Sequence, residues 1–446
     1  MSKKVKMEDI VSLCKRRGFI YQGSEIYGGL AGTWDYGPLG VALKRNIMNL
    51  WWKMFVEDRD DMYGVDAAIL MNQKVWQASG HVDTFTDPLV ECSNCHERFR
   101  HDQVPDIMER GLQDAQTRCP NCGKPGVLSE PRQFNMMFKT NIGPVTDDSS
   151  TSYLRPETAQ GIFTNFKNVV DSFYPDIPFG VAQMGKAFRN EISPRDFVFR
   201  SREFEQMEIE YFVAPDKWEV AFDKWVKDIQ VFLEAVGVPK ENVHQVEVPP
   251  ADRAHYSKRT VDFEFDFPHK RDELLGLAYR TDFDLQNIQR VSGRSMEYRP
   301  KEGGDAFIPH VIEPSFGVER AIMAVLVSAF TEDEVNGEKR VYLKLPAHLA
   351  PVKVAVSPLL KNKPELVEKA REVYGMLKKE LGNVMWDDNG NIGKRYRRQD
   401  EIGTPYCVVI DFQTLEDNTV TVRNRDTTKQ DRVPSEELID KLGYRH

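Results

Sequence analysis

FRNEISPRDFVFRSREFEQMEIEYF, Phe188 to Phe212, is the stretch on which the reading of this chain turns. It falls into two strand-like pieces joined by a loop. Phe188-Arg189-Asn190-Glu191 closes the first piece, which begins at FGVAQMGKA. The loop runs through Ser193, Pro194 and Arg195, and Arg200-Ser201-Arg202-Glu203-Phe204 opens the second piece, EQMEIEYFV. A guanidinium is a planar fork that matches the oxygens of a phosphate, so arginines at the mouth of such a hairpin suit a polyphosphate ligand. The same composition also describes a surface network of ion pairs. No GxxxxGK[ST] phosphate loop occurs in the body of the chain. A nucleotide bound here is therefore held by side chains rather than by a glycine-rich cradle.

Outward from the hairpin, the pattern is that of an antiparallel sheet with helices packed on it. Val261-Asp-Phe-Glu-Phe-Asp-Phe267 alternates without a fault and predicts a half-buried antiparallel strand. GLAYRTDFDL and FIPHVIEPS continue as strands, and a helix is expected after Gly317. Asp216 and Glu219 have the spacing of a capping box. They predict a helix with apolar positions Trp218, Phe222, Trp225, Ile229, Phe232 and Val236, closed by Gly237. Near the N-terminus, Pro38 suits the first turn of a helix whose apolar stripe is Leu43, Ile47, Leu50 and Met54. The preceding YGGLAGTWDYGPLG reads as a sterically constrained entry to that helix.

The character changes at Leu345-Pro346 and Ala350-Pro351. Beyond lie a strand in VKVAVSPL, a helix over Pro364–Leu381 stopped by Gly382, a continuous apolar strand in YCVVID and an alternating one in TVTVRNRD. Strand–helix–strand order predicts a separate α/β domain over 351–446, after a body spanning 1–350. Within the body, insertions are expected at 90–126 and, helical, at about 214–258.

The chain has 446 residues, too many for one core. It is 41% hydrophobic and 29% charged, with no apolar run long enough for a membrane span. The N-terminal MSKKVKMEDIVSLCKRRGF is charged throughout and lacks the apolar stretch of a signal peptide, which predicts a cytoplasmic protein with no membrane partner. A net charge of −9 argues against indiscriminate coating of nucleic acid. The charge is uneven: from Val352 onward 17 Lys+Arg face 16 Asp+Glu. The basic run Lys394-Arg395-Tyr396-Arg397-Arg398 fits phosphate contact and ordinary surface solvation equally.

Four of the six cysteines form two knuckles, Cys92-Ser-Asn-Cys95 and Cys119-Pro-Asn-Cys122-Gly, 23 residues apart. In a reducing compartment that spacing predicts a tetrahedral thiolate site for Zn²⁺. Four thiolates leave no open position, so the role is structural. Cys14 and Cys407 stand alone and read as ordinary apolar residues.

The string from Phe188 to Phe212 closely resembles the second signature of class II aminoacyl-tRNA synthetases, in its glycyl form. YGGLAGTWDYGPLGVALKRNIMNLWW resembles the first signature, EPSFGVER the third, and LRPETAQGIF a glycyl-family segment. The resemblance covers about residues 20–330, and the C-terminal α/β region is similar to the family's anticodon-binding domain. It implies an α+β architecture: an antiparallel-sheet catalytic domain with a zinc-ribbon-like insertion, then the α/β domain. It implies a homodimer, the first-signature helix and proline lying at its interface. It implies activation of glycine by ATP to glycyl-adenylate and pyrophosphate, then transfer of glycyl to the 3′ end of tRNA(Gly). The alternatives are a catalytically silent, synthetase-like tRNA-binding protein, and a nucleic-acid binder built on the zinc module.

On the same resemblance, Arg189 bridges the glycine carboxylate and the α-phosphate, and Arg320 binds the γ-phosphate end. Phe204 stacks on adenine, whose amino group Glu191 reads, and Glu273 contacts ATP and a Mg²⁺ ion. The implied ATP-binding set is Arg189, Asn190, Glu191, Phe199, Arg200, Ser201, Arg202, Glu203, Phe204, Glu273, Leu274, Gly317, Val318, Glu319 and Arg320. The implied glycine-binding set is Arg100, Glu157, Phe204, Glu205, Gln206, Met207, Glu208, Glu313, Pro314, Ser315, Phe316 and Gly317. Glu157, Glu208 and Glu313 would surround the ammonium with negative charge. A filled pocket would reject alanine by its methyl group, and since nothing smaller than glycine competes, no editing domain is expected. Each assignment has a plain rival: Phe204 as a core aromatic, Glu273 paired with a nearby arginine, Glu157 and Glu208 as surface carboxylates.

Overall fold

The hairpin of Phe188–Phe212 forms the middle of a seven-stranded sheet in the computed structural model, which describes residues 5–145, 150–335 and 337–444. The strands are β1 (Met62–Gly64), β2 (Phe179–Phe188), β3 (Glu203–Val213), β4 (Val243–Glu247), β5 (Arg259–Asp266), β6 (Arg271–Thr281) and β7 (His310–Gly317), in spatial order β4-β5-β6-β7-β3-β2-β1. Every pairing is antiparallel except that of β1 with β2. The alternation in Val261–Phe267 has its expected cause: Val261, Phe263 and Phe265 are buried while the residues between them are partly exposed.

β3 lies between β2 and β7 and decides what the sheet can do. Side chains alternate faces along a strand. Met207, Ile209, Tyr211 and Val213 therefore enter the largest hydrophobic cluster, shared with Trp51, Phe55, Trp225, Phe232 and Phe316. Phe204, Gln206, Glu208 and Glu210 project from the opposite face. At the far end of that face Phe212 packs with Phe163, Phe166 and Phe179 in a second cluster. That cluster sits under a helix over Ala159–Phe173, which begins in the glycyl-family segment and is not among the elements expected from sequence, although Ile162, Phe163, Phe166 and Val169 recur at helical spacing.

The helix begun by Pro38 runs to Trp52 and continues as a wider π-turn over Lys53–Glu57. Its buried stripe is Leu43, Ile47, Trp51 and Phe55, not Leu43, Ile47, Leu50 and Met54. The larger rings of Trp51 and Phe55 take the core side, and Leu50 and Met54 flank it half-buried. Gly40 in this helix is a matter of space: a Cβ there would lie 1.8 Å from the Phe19 carbonyl oxygen. The helix over Trp218–Ala235 has the predicted apolar face, but no capping box. Lys217 is its N-cap, with no side-chain hydrogen bond, and Asp216 lies one residue outside. Only the first half of 214–258 is helical; Val243–Glu247 pairs with β5 as the sheet's edge strand.

The cysteine knuckles sit on a small three-stranded sheet of Thr86–Glu91, Arg98–Arg100 and Arg132–Asn135. After a hairpin of Phe330–Val335 with Glu338–Leu343, a second core opens at Val354 and closes at Leu442. Its five-stranded sheet is mixed. Val354–Pro358 pairs in parallel with Val384–Trp386 and Tyr406–Ile410, and Thr419–Asn424 and Gln430–Pro434 add on antiparallel. The helix over Pro364–Leu381 packs on it. Two buried arginines join this unit to the body: Arg340, held by Asp333 in its own hairpin, pairs with Asp400 (3.1 Å), which also receives Arg423 (2.7 Å) from within the unit, and Arg425 donates to the Leu345 carbonyl.

The basic run 394–398 is largely committed within the fold. Arg395 is buried and donates to the carbonyls of Pro358, Asp388 and Gly390. Arg397 pairs with Glu338 and Arg398 with Asp387. Among the described residues no helix is long and apolar enough to cross a membrane.

Candidate active site

Two adjoining cavities open over the face of β3 that carries Phe204, Gln206 and Glu208, one of about 300 Å³ and one of about 280 Å³. They share Arg189, Gln206, Glu273 and Ser315, so they are two ends of one cleft. Their walls differ in chemistry.

The first end is aromatic and basic. Arg189, at the end of β2, donates from Nε to the Pro156 carbonyl at 3.0 Å, and its guanidinium lies 5.3 Å from the Phe204 ring centroid and 5.5 Å from that of Phe85. Arg200 contacts Glu191 at 3.3 Å. Arg320, in the first turn of the helix after Gly317, stacks 4.4 Å over Phe199 and pairs with Glu273 at 3.0 Å. It also donates to the Glu273 carbonyl. Glu273 is thus engaged by the arginine that a nucleotide would recruit. Asp262 faces it from β5, its carboxyl pushed up to about 7 by burial and by the charges of Glu273 and Glu264. Glu319 also rises to about 7 through burial, although it accepts the Glu205 N–H at 2.9 Å.

The second end is acidic. Glu208 accepts from the Ser315 hydroxyl at 2.7 Å, from Gln206 Nε2 at 3.3 Å and from the Thr158 hydroxyl. Burial and the neighbouring Glu157 raise its pKa against those donors. Burial pushes Glu157 the same way, but His81 (3.4 Å), Arg280 and Arg189 outweigh it and hold that carboxyl well below the usual range. Glu313 receives Arg280 at 2.7 Å, and Arg280 gives its other edge to Asp284 in two bonds of 2.8 Å. Burial works against the charge on Arg280, yet these carboxylates keep it firmly protonated. The Tyr256 ring covers the guanidinium at 3.7 Å.

The implied residues divide along the pleat. Arg189, Glu191, Phe199, Arg200, Ser201, Phe204, Glu273, Leu274, Gly317, Glu319 and Arg320 line the basic end. Glu157, Gln206, Glu208, Glu313 and Ser315 line the acidic end. Met207, Phe316 and Val318 point into the core, and Pro314 shares their face of β7. Glu205 turns away as well, to Lys44 at 3.0 Å. Arg202 binds the carbonyls of Glu191 and Ala31, Glu203 pairs with Lys186, and the Asn190 N–H donates to the Met136 carbonyl. These three hold the loop rather than line the cleft. Arg100 lies in the cysteine-bearing sheet, outside both linings, between Asp87 (3.0 Å) and Asp102 (2.6 Å). Glu157 and Glu208 are buried, not surface carboxylates. Four residues not singled out from sequence belong to the site: Arg280, Asp284, Tyr256 and His81. They come from three segments far apart in sequence, Arg280 and Asp284 lying four residues apart in one of them.

The four cysteine sulfurs lie within 4.8 Å of one another, with Cys92–Cys122 and Cys95–Cys119 both at 3.7 Å. Metal–sulfur bonds of about 2.3 Å in a tetrahedron put sulfurs about 3.8 Å apart, so the donor set fits that geometry.

Comparison with known proteins matches both parts of the chain. A model of the tRNA synthetase class II core domain (G, H, P, S and T) matches residues 138–329, and one of the anticodon binding domain matches residues 353–444. The glycine–tRNA ligase of Thermobifida fusca is 48% identical, covering 100% of this chain and 99% of its own. That of Thermus thermophilus is 46% identical over 97% of each chain. Among solved structures, Giardia lamblia prolyl-tRNA synthetase in complex with prolyl-adenylate superposes with a TM-score of 0.68 at 15% identity, covering 98% of this chain and 79% of that one.

Proposed function

The chain belongs to the glycine–tRNA ligase family of class II synthetases, and from that premise we propose how its cleft divides the work of joining glycine to tRNA at the expense of ATP. The observation that carries the reading is the position of Arg189, which lines both the aromatic, basic end and the acidic end. In this reading the basic end takes ATP. Phe204 offers its face to adenine, Glu191 accepts from the exocyclic amino group, and Arg320 meets the terminal phosphate. The acidic end takes glycine, its ammonium among Glu157, Glu208 and Glu313. Arg189 then holds the glycine carboxylate against the α-phosphorus.

Little proton transfer is needed, because the attacking carboxylate is already ionised. Catalysis rests on positioning and on neutralising charge at phosphorus as pyrophosphate leaves. Glu273 is an oxygen donor of the kind that would hold the Mg²⁺ that class II enzymes use with ATP; when bound, that ion would neutralise phosphate charge. The Arg320–Glu273 pair keeps both side chains in place before substrate arrives and yields when phosphate reaches Arg320. The filled floor of Gln206, Ser315 and Glu208 is what would exclude the methyl of alanine.

In the same reading the four cysteines hold a structural Zn²⁺, and residues 353–444 bind the anticodon of tRNA(Gly). A second copy covers the exposed Ile26, Tyr27 and Leu30 ahead of the Pro38 helix. The place of action is the cytoplasm, where the thiols stay reduced. The test is exchange of labelled pyrophosphate into ATP by purified protein. Exchange that depends on glycine is expected; exchange without it, or driven equally by alanine, overturns the assignment.

A further inference from the structure

Glu210 follows Glu208 by two positions on β3 and so projects from the same face, deeper beneath the acidic end of the cleft. It is fully buried, and neither carboxylate oxygen has a hydrogen-bond donor. The pairing of β3 with β7 sets Glu208 opposite Ser315 and Tyr211 opposite Ile312, which brackets Glu210 opposite Glu313. The other charged groups facing it are Glu208 on its own strand, Arg280 on β6 and Asp284 on the following helix. No bond from Arg280 reaches it: the three that its guanidinium makes go to Asp284 and Glu313. The donors of the pocket do not reach it either. Ser315, Gln206 and Thr158 all converge on Glu208. Two carboxyls on one strand therefore meet opposite environments, one rich in donors and one with none.

We propose that Glu210 is a positioning residue of the amino-acid pocket: a neutral carboxyl that donates its O–H to the Glu313 carboxylate and fixes that group for the glycine ammonium. An isolated buried carboxylate is strongly disfavoured and takes up a proton instead. Once protonated, the group becomes a donor, and the acceptor it faces is Glu313. Burial pushes both Glu210 and Glu313 toward the protonated form, but Arg280 bonds Glu313 at 2.7 Å and not Glu210, so of the two it is Glu313 that keeps the charge and Glu210 the proton. The pocket gains an oriented Glu313 without a further negative charge beneath the ammonium. The inference rests on reading the acidic end as the glycine site.

The experiment measures KM for glycine and for ATP by pyrophosphate exchange in Glu210→Met, Glu210→Gln and Glu208→Gln. Methionine removes the donor at similar volume, and the glycine KM is expected to rise about tenfold, the scale of one hydrogen bond to a charged group, with the ATP KM unchanged. Glutamine keeps a donor in place and is expected to restore the glycine KM to within about threefold of wild type on the same scale. A glycine KM for Glu210→Gln as high as that of Glu208→Gln overturns the proposal, because Glu210 would then be an anionic ligand. A wild-type KM in Glu210→Met overturns it as well. An unchanged glycine KM in Glu208→Gln would instead remove the pocket reading beneath it. Should the methionine variant fail to fold, the infrared spectrum decides. A protonated-carboxyl carbonyl band lost in Glu210→Gln at neutral pH supports the proposal, and its absence from the wild type refutes it.

Discussion

Replacing Arg280 by methionine tests the electrostatic design of the acidic pocket. The guanidinium is 1% exposed and makes three charge-assisted bonds, two to Asp284 at 2.8 Å and one to Glu313 at 2.7 Å. Methionine keeps much of the volume but leaves two buried carboxylates without a counter-charge. Breaking a buried pair from one side costs about 3–5 kcal/mol, because the remaining charge stays desolvated. Against a total stability of about 5–15 kcal/mol, that is a large fraction. The loss is expected as a lower midpoint in denaturant unfolding followed by fluorescence of the body's buried tryptophans, Trp51, Trp76 and Trp225. The deficit should shrink as pH falls, since Asp284 and Glu313 can then relieve the imbalance by taking up protons. The double variant Arg280→Met with Asp284→Asn should recover part of it. The glycine KM should rise, because Glu313 loses the group that orients it. A stability loss below about 1 kcal/mol, of the size typical of an exposed pair, would refute the reasoning.

Other substitutions separate the two ends of the cleft. Glu208→Gln removes a charge next to the expected ammonium and should raise the glycine KM about tenfold to a hundredfold, leaving the ATP KM unchanged in steady-state exchange. Phe204→Leu should do the reverse, raising the ATP KM by a factor set by about 1–3 kcal/mol of base stacking. Glu319, with its folded pKa raised to about 7, favours the folded state below its unfolded value near 4.5, and that contribution is lost as pH rises through 7. The shift corresponds to about 3 kcal/mol, so Glu319→Gln should flatten the fall in stability between pH 4.5 and 7 seen in parallel denaturant melts. Removing metal with a strong chelator, or substituting Cys119→Ser, should abolish bound zinc in elemental analysis and lower the melting temperature; full stability in metal-free protein would rule out the structural role.

Local chemistry announced much of this molecule. The alternation in Val261–Phe267, the helix over Pro364–Leu381 with Gly382 at its end, and the four-cysteine pattern are properties of a few neighbouring residues, and they could be read one segment at a time. The ordered signatures carried the family and the order of its domains. Errors arose where packing overrode local preference. Trp51 and Phe55 displaced Leu50 and Met54 from the core face because larger rings bury more apolar surface. The capping-box spacing at Asp216 and Glu219 produced no capping box.

The Phe188–Phe212 hairpin, then, was legible as arginine-rich strands, and its motif supplied a meaning. Which residues of a continuous run face a ligand was a matter of pleat. Phe204, Gln206 and Glu208 look into the cleft, while Glu205 and Met207 look away, although the sequence sets them side by side. The charge state of the acidic end lay still further from local reading. Arg280, Asp284, His81 and Glu210 share no spacing with Glu157 or Glu313; strand pairing brings Glu210, Glu313 and Arg280 together, and helices packed on the sheet bring Asp284 and His81. Sequence determines side-chain chemistry and local periodicity; burial and counter-charge are set by whatever the chain folds against them. A carboxylate with three donors and one with none look alike until the sheet is formed.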